Sequence, residues 1–157
     1  MSFEGNYLKG ERNGEGKEYY YDGFNSIIVF EGKYINGKRN GKGKEYAYSK
    51  VIYEGEYVNG KRHGKGKKYN NYGTLEFEGE YIYDYKRKGK QYIHGYLIYE
   101  GEYLFNKKWN GKGYDENGNI IYELINGKGN GKEYDKDGKL IYEGEYLYGE
   151  RNEKGKL

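Results

Sequence analysis

The segment FEGNYLKGERNGEGKEY, starting at Phe3, returns six more times along the chain with substitutions. The later copies are FEGKYINGKRNGKGKEY at Phe30, YEGEYVNGKRHGKGKKY at Tyr53, FEGEYIYDYKRKGKQY at Phe77, YEGEYLFNKKWNGKGY at Tyr99, YELINGKGNGKEY at Tyr122 and YEGEYLYGERNEKGK at Tyr142. Successive copies begin 27, 23, 24, 22, 23 and 20 residues apart. A period of about 20 to 50 residues marks architectures in which each unit buries its apolar face only against its neighbours. Residues 1–157 therefore read as one repeat domain, with the copies from residue 77 onward partly degenerate.

Each copy carries strand and turn signals. In LIYEGEYLY, strict alternation places Leu140, Tyr142, Gly144, Tyr146 and Tyr148 on one face, and Ile141, Glu143, Glu145 and Leu147 on the other. Asn36-Gly37 and Asn59-Gly60 read as hairpin turns within copies. Asp22-Gly23, Asn117-Gly118 and Asp137-Gly138 read as turns between copies. Glycine at every third to sixth position disfavours helix, at about 0.8 to 1.0 kcal/mol each relative to alanine. The expected fold is all-β: an elongated single-sheet solenoid of stacked antiparallel hairpins with no helix. Fourteen strands spaced by about 4.8 Å would span on the order of 65 Å.

Stacking in order aligns Phe3, Phe30, Tyr53, Phe77, Tyr99, Tyr122 and Tyr142 in one ladder, and Tyr7, Tyr34, Tyr57, Tyr81, Tyr103 and Tyr146 in a second. These ladders take the place of a core. Between them run Gly5, Gly32, Gly55, Gly79, Gly101 and Gly144, where the missing side chain lets a ring lie against the backbone. The facing of the return-strand tyrosines Tyr19, Tyr46, Tyr69, Tyr92, Tyr114 and Tyr134 is open. A two-residue turn points Tyr46 away from Phe30 and Tyr34, and a three-residue turn with a bulge brings it beside them.

Composition fits a folded but wet chain. A third of the residues are charged and the mean hydropathy is −1.26, yet there are 24 tyrosines and no proline, unlike most disordered segments. The absence of cysteine fits a reducing, cytoplasmic compartment. No apolar run is long enough to span a membrane, and no secretory signal is recognisable. Twenty-eight basic against 25 acidic residues is too even a balance to indicate nucleic acid as a partner.

The pattern Tyr-x-Gly-x-aromatic-x-x-Gly, followed by Gly-x-Gly, resembles the MORN (membrane occupation and recognition nexus) repeat. The resemblance covers about residues 3–157 and is clearest in the copies at Phe3, Phe30 and Tyr53. The chain departs from it in using Tyr where Trp is commonest, in Asp84 for a turn glycine, and in a sixth copy that lacks Gly-x-Tyr. The seventh copy has Glu153 for glycine and stops before its return strand. The resemblance implies a scaffold with an aromatic-lined groove, and phospholipid binding has been proposed for the family. A looser likeness links the Asn-Gly-Lys cadence to bacterial repeat proteins described as antitoxins.

Catalytic chemistry finds little support in the residues. Gly41-Lys42-Gly43-Lys44 lacks the spacing of a phosphate loop and has no following helix. His63 and His94 read as surface or turn residues, and Asp135-Lys136-Asp137-Gly138 as a tight turn, since the later ligands of a calcium loop are missing. Glu4, Glu31, Glu54, Glu78, Glu100, Glu123 and Glu143 recur once per copy and read as a solvated face with lysines between them. Neither a cofactor nor a metal is expected, and the chain does not read as an enzyme.

The leading expectation is a protein-interaction scaffold that lays a partner helix or extended peptide along a groove of Tyr7, Tyr34, Tyr57, Tyr81, Tyr103 and Tyr146, with Trp109 as an anchor. The alternative is a peripheral membrane module using Lys38, Arg39, Lys61, Arg62, Lys86, Arg87 and Lys88 against anionic head groups. An antitoxin-like role is a further alternative. The open edges of the sheet also invite homo-oligomers by strand addition.

Overall fold

The computed structural model describes residues 1–153, and residues 154–157 of the seventh copy lie outside them. Fourteen strands follow one another: β1 (Ser2–Leu8), β2 (Glu11–Tyr21), β3 (Ser26–Ile35), β4 (Lys38–Ala47), β5 (Lys50–Val58), β6 (Lys61–Tyr69), β7 (Leu75–Ile82), β8 (Tyr85–Ile93), β9 (Tyr96–Leu104), β10 (Lys107–Tyr114), β11 (Ile120–Leu124), β12 (Lys128–Tyr134), β13 (Leu140–Leu147) and β14 (Glu150–Arg151). They form one open antiparallel sheet in chain order, the all-β succession of hairpins that the repeat predicts, with no helix among the described residues. The chain divides into two compact units, Met1–Asp84 and Tyr85 onward.

In the first unit the hairpins close as the Asn-Gly signal predicts. Val58 pairs with Lys61 across Asn59-Gly60, whose φ values of +51° and +83° define a two-residue type I′ turn. The fourth copy keeps this geometry without the glycine. Tyr83 and Asp84 hold φ of +46° and +73°, and the Asp84 carboxylate accepts the Arg62 backbone N–H at 2.8 Å. Aspartate tolerates the left-handed region better than most residues, so the substitution leaves the turn intact.

The tight turn settles the facing of the return-strand tyrosines. Between the Tyr34–Arg39 and Gly32–Gly43 pairs, β4 runs two residues longer than β3, which preserves alternation. Tyr46 therefore lies on the face opposite Phe30 and donates to Glu31 at 2.5 Å. Tyr19 and Tyr69 do the same to Glu4 and Glu54, at 3.3 Å and 2.6 Å. Burial, reinforced by the carboxylate acceptor, raises the Tyr46 and Tyr69 hydroxyls to about 12.

A second irregularity lies where copies join. Glu45 pairs with Tyr53 but Tyr46 with Val51, leaving Ile52 as a one-residue bulge. The equivalent shift at Glu133–Tyr142 and Tyr134–Leu140 corrects the strict alternation expected in LIYEGEYLY. The bulge at Ile141 takes Leu140 off the face of Tyr142.

The core of the first unit is a layered stack one ring thick. Gly32 and Gly43 face each other across β3 and β4, and a Cβ on Gly43 would come within 2.4 Å of Phe30 Cζ. The Phe30 ring lies on this glycine floor. The two expected ladders interdigitate into one edge-to-face chain, Phe3–Tyr34–Phe30–Tyr57–Tyr53–Tyr81–Phe77, with centroids 5.0 to 5.7 Å apart. Such pairs contribute about 0.5 to 1.5 kcal/mol each beyond the area they bury. A guanidinium from the return strand covers each stack: Arg12 over Phe3 at 4.4 Å, Arg39 over Phe30 at 4.0 Å and Arg62 over Tyr53 at 4.3 Å.

The second unit repeats this plan less regularly. Tyr99, Tyr103, Tyr122, Tyr142 and Tyr146 are buried, and Lys108 and Arg151 lie over Tyr99 and Tyr142. In the shortened sixth copy Leu124 occupies the position that is glycine elsewhere and is itself buried. The seventh copy does begin a return strand, contrary to the sequence reading. Tyr146 pairs with Arg151 and Leu147 with Glu150.

Candidate partner-binding surface

Three residues drawn from two successive copies form a clasp. Glu45, near the end of β4, accepts the Tyr57 hydroxyl at 2.6 Å and both Nε and Nη2 of Arg62, at 2.9 Å and 2.8 Å. Glu18 takes the same contacts from Tyr34 and Arg39, and Glu133 from Tyr146 and Arg151. Burial pushes the Glu45 carboxyl up, but the Arg62 and Tyr57 hydrogen bonds and the positive charges of Arg62 and Arg39 outweigh it. The net result is a carboxyl held below its ordinary value, and Glu18 is lowered for the same reasons. Tyr57 is raised, first by burial and then by the charge of Glu45. The clasp is ionised at the acid and neutral at the phenol, so it holds copies together rather than moving protons.

At the next junction the clasp is incomplete. Lys68 stands where Glu18 and Glu45 stand in earlier copies; it pairs across the strands with Phe77 and bonds Glu76 at 2.8 Å. The buried Tyr81 hydroxyl has no hydrogen-bond partner. In the second unit Gln91 occupies the corresponding position and accepts from Tyr103 at 3.2 Å.

These contacts relocate most of the residues expected to form a binding surface. Tyr34, Tyr57, Tyr81, Tyr103 and Tyr146 are buried core residues rather than the lining of an open groove. Of the six, Tyr7 alone remains largely exposed, at 59%. Trp109 stacks on Tyr148 at 6.3 Å, with Gly127 packed against both rings, so it packs between hairpins instead of projecting.

The expected basic clusters are likewise divided by strand alternation. Lys38 and Lys61 are exposed, whereas Arg39 and Arg62 turn inward to the clasps. In the second unit Lys86 Nζ lies 5.5 Å from the centre of the Tyr103 ring, while Arg87 and Lys88 are exposed. On the opposite face, lysines alternate with the recurring glutamates, as Lys17 with Glu31, Lys112 with Glu123 and Lys132 with Glu143. His63 packs against Tyr83 at 4.8 Å, and His94 occupies a tight turn with φ of +50°. Asp135 Oδ1 accepts the backbone N–H groups of Asp137 and Lys139 and closes its turn.

One set of exposed residues has no counterpart among the sequence expectations. In the first unit the turns between copies carry Phe24, Tyr48 and Tyr72, which are 90%, 87% and 87% exposed, the most open rings among the described residues. All three turns lie at the same end of the strands, because each joins a return strand to the first strand of the next copy. The signal was present in the sequence: aromatics at a spacing of 24 residues, in turns where Asn, Asp or Gly would suffice. Aromatics at the other strand end have packing partners, Tyr83 on His63 in this unit and Phe105 on Tyr85 in the second.

No group of three or more His, Cys, Asp or Glu side chains among the described residues could hold a metal ion. No helix among them is long and apolar enough to cross a membrane. The family model described as MORN repeat matches residues 3–24, 30–49, 53–74 and 142–157. No curated protein matches the chain.

Proposed function

Given that the chain belongs to the MORN repeat family, whose repeats are generally non-catalytic binding modules, we propose that it is a scaffold holding an extended segment of a protein partner against aromatics its sheet leaves exposed. One contrast carries this reading. The ladder rings from Phe30 and Tyr34 onward are enclosed within the fold, while Tyr7, Phe24, Tyr48 and Tyr72 are open. Exposed Tyr and Phe give a binding surface large contact area at low entropy cost. The ladder tyrosines then act as the rigid support of the surface, and Trp109 as part of that support.

A second reading has its own observation. Ile35 pairs with Lys38, and Val58 with Lys61, at the hairpin ends of the first unit, where both lysines are exposed. Lysines beside aliphatic side chains suit an anionic membrane surface, at about 1 kcal/mol per lysine near it. Affinity capture from the native cell with Tyr48→Ser/Tyr72→Ser and Lys38→Ala/Lys61→Ala chains separates the two. A protein partner lost with the first variant and kept with the second supports the scaffold. Binding to phosphatidylserine vesicles that is released by salt and lost only with the lysine variant, with no protein captured, overturns it.

A further inference from the structure

We propose that the row of turns between copies in the first unit is a docking edge for a proline-rich peptide in the polyproline II conformation, with Phe24, Tyr48 and Tyr72 each receiving one turn of that peptide. The proposal rests on the scaffold reading and names the class of partner segment. Four features carry it.

Spacing comes first. Successive turns at this end are separated by two strands, and at about 4.7 to 4.9 Å per strand the turns that carry the rings recur roughly every 9.4 to 9.8 Å. A polyproline II helix rises about 3.1 Å per residue with three residues per turn, so it presents the same face every 9.3 Å or so. An extended β-peptide covers a similar distance in three residues but then shows its opposite face, since its side chains alternate. An α-helix returns a face after about 5.4 Å, or 10.8 Å for two turns, and drifts by about 1 Å per copy.

The backbone that carries the rings is also held in place. Asp22 Oδ1 accepts the N–H of Phe24 at 2.8 Å and of Asn25 at 2.7 Å. Asn70 Oδ1 accepts those of Tyr72 and Thr74, each at 2.9 Å. Tyr48 and Ser49 form their turn with φ of +49° and +62°, a left-handed pair with no glycine. Without glycine the Tyr48-Ser49 turn has fewer conformations open to it than an Asn-Gly turn.

Third, the edge is nearly free of charge in a chain of which 34% is charged. Residues 22–26, 47–50 and 70–74 contain two charged residues, Lys50 and Asp22, and the Asp22 carboxylate is occupied by backbone N–H groups. An uncharged surface complements an uncharged proline-rich segment.

Finally, donors are available. The Tyr48 and Tyr72 hydroxyls and the amides of Asn25 and Asn71 are exposed, with no hydrogen bond to another described side chain. Polyproline II leaves its carbonyls unpaired and facing outward, so these groups have acceptors to meet. None of the 157 residues is proline, so these residues do not supply the segment themselves.

The test titrates the full chain with an oligoproline of about four turns, ~12 residues, with a Gly-Ser peptide of equal length, and with a neutral cello-oligosaccharide. Backbone amide chemical shifts provide the readout. Saturable shifts confined to residues 22–26, 47–50 and 70–74 are expected with oligoproline alone. Phe24→Ser/Tyr48→Asn/Tyr72→Asn should weaken binding at least tenfold without lowering Tm, and shorter oligoprolines that span fewer rings should bind progressively less well. Absence of oligoproline binding, binding unchanged in the triple variant, or preference for the glycan overturns the proposal. The same triple variant in affinity capture distinguishes the two levels of the reading. If oligoproline fails but the wild-type chain captures a partner that the variant loses, only the peptide class is wrong. If neither chain captures any protein, the scaffold itself is wrong.

Discussion

Tyr57 and Tyr81 occupy the same position in successive copies, yet one hydroxyl is bonded to Glu45 and the other has no partner. Removing them should therefore have opposite consequences. Tyr57→Phe removes one of the three hydrogen bonds to the half-buried Glu45 carboxylate and is expected to cost about 0.5 to 1.5 kcal/mol, whereas Tyr81→Phe deletes an unpaired buried group and should be neutral or stabilising. Urea unfolding of the two variants is the check, and equal losses would mean that the clasp contributes nothing. The glycine floor allows a second comparison. Gly43→Ala drives a Cβ into Phe30 and should cost roughly 1 to 3 kcal/mol, while Lys42→Ala, next to it on the exposed face, should stay within about 0.5 kcal/mol. The ring-on-glycine contact was legible in the sequence from the spacing of Phe30 and Gly32. The clasp was not, because Glu18 and Arg39 are 21 residues apart and meet only once the bulges have fixed the register.

The hairpins themselves were the most legible feature, since Asn36-Gly37 and Asn59-Gly60 specify the turn chemistry locally. Facing beyond the turn was harder to read. It depends on one bulge within each hairpin and another between copies, and neither has a distinct residue signature. The same alternation explains why Lys38-Arg39 read as a basic cluster but divides in space, with Lys38 in solvent and Arg39 against Glu18 and Phe30. Copy identity also matters at this scale. Lys68 is the wrong residue for its junction, and the chain supplies the remedy at Gln91. Lys68→Gln gives the Tyr81 hydroxyl an acceptor at the expense of one exposed ion pair with Glu76. It should stabilise the protein by about 1 kcal/mol net, read as a rise of about 2 to 4 °C in Tm. A fall in Tm would show that the Lys68–Glu76 pair outweighs the orphaned hydroxyl.

For the molecule as a whole, so many phenols and clasped carboxylates make stability depend on pH at both extremes. Glu18, Glu45 and Glu133 are lowered in the fold, so their contribution is present above the unfolded glutamate value of about 4.3 and is lost as pH falls through the folded values. The tyrosines behave in the opposite sense. Tyr46, Tyr69, Tyr81 and Tyr99 are raised to about 12, chiefly by burial. Above an unfolded value of about 10 the denatured chain therefore releases protons that the native chain keeps, and stability declines between about pH 10 and 12. Circular dichroism followed alongside tyrosinate absorbance should show phenol ionisation and loss of strand signal together. Ionisation with a single transition near pH 10 and no unfolding would contradict the buried ladder. The clasp also governs how such a chain can grow. Its carboxylate belongs to one copy, and its phenol and guanidinium to the next, so every copy has a distinct head and tail. The second copy, with Tyr34 and Arg39 at its head and Glu45 at its tail, could be duplicated in tandem with every joint matched. The third, ending in Lys68, cannot precede another standard copy without leaving a phenol unanswered. The chain thus obeys a word order in which some repeats extend the sentence and others close it.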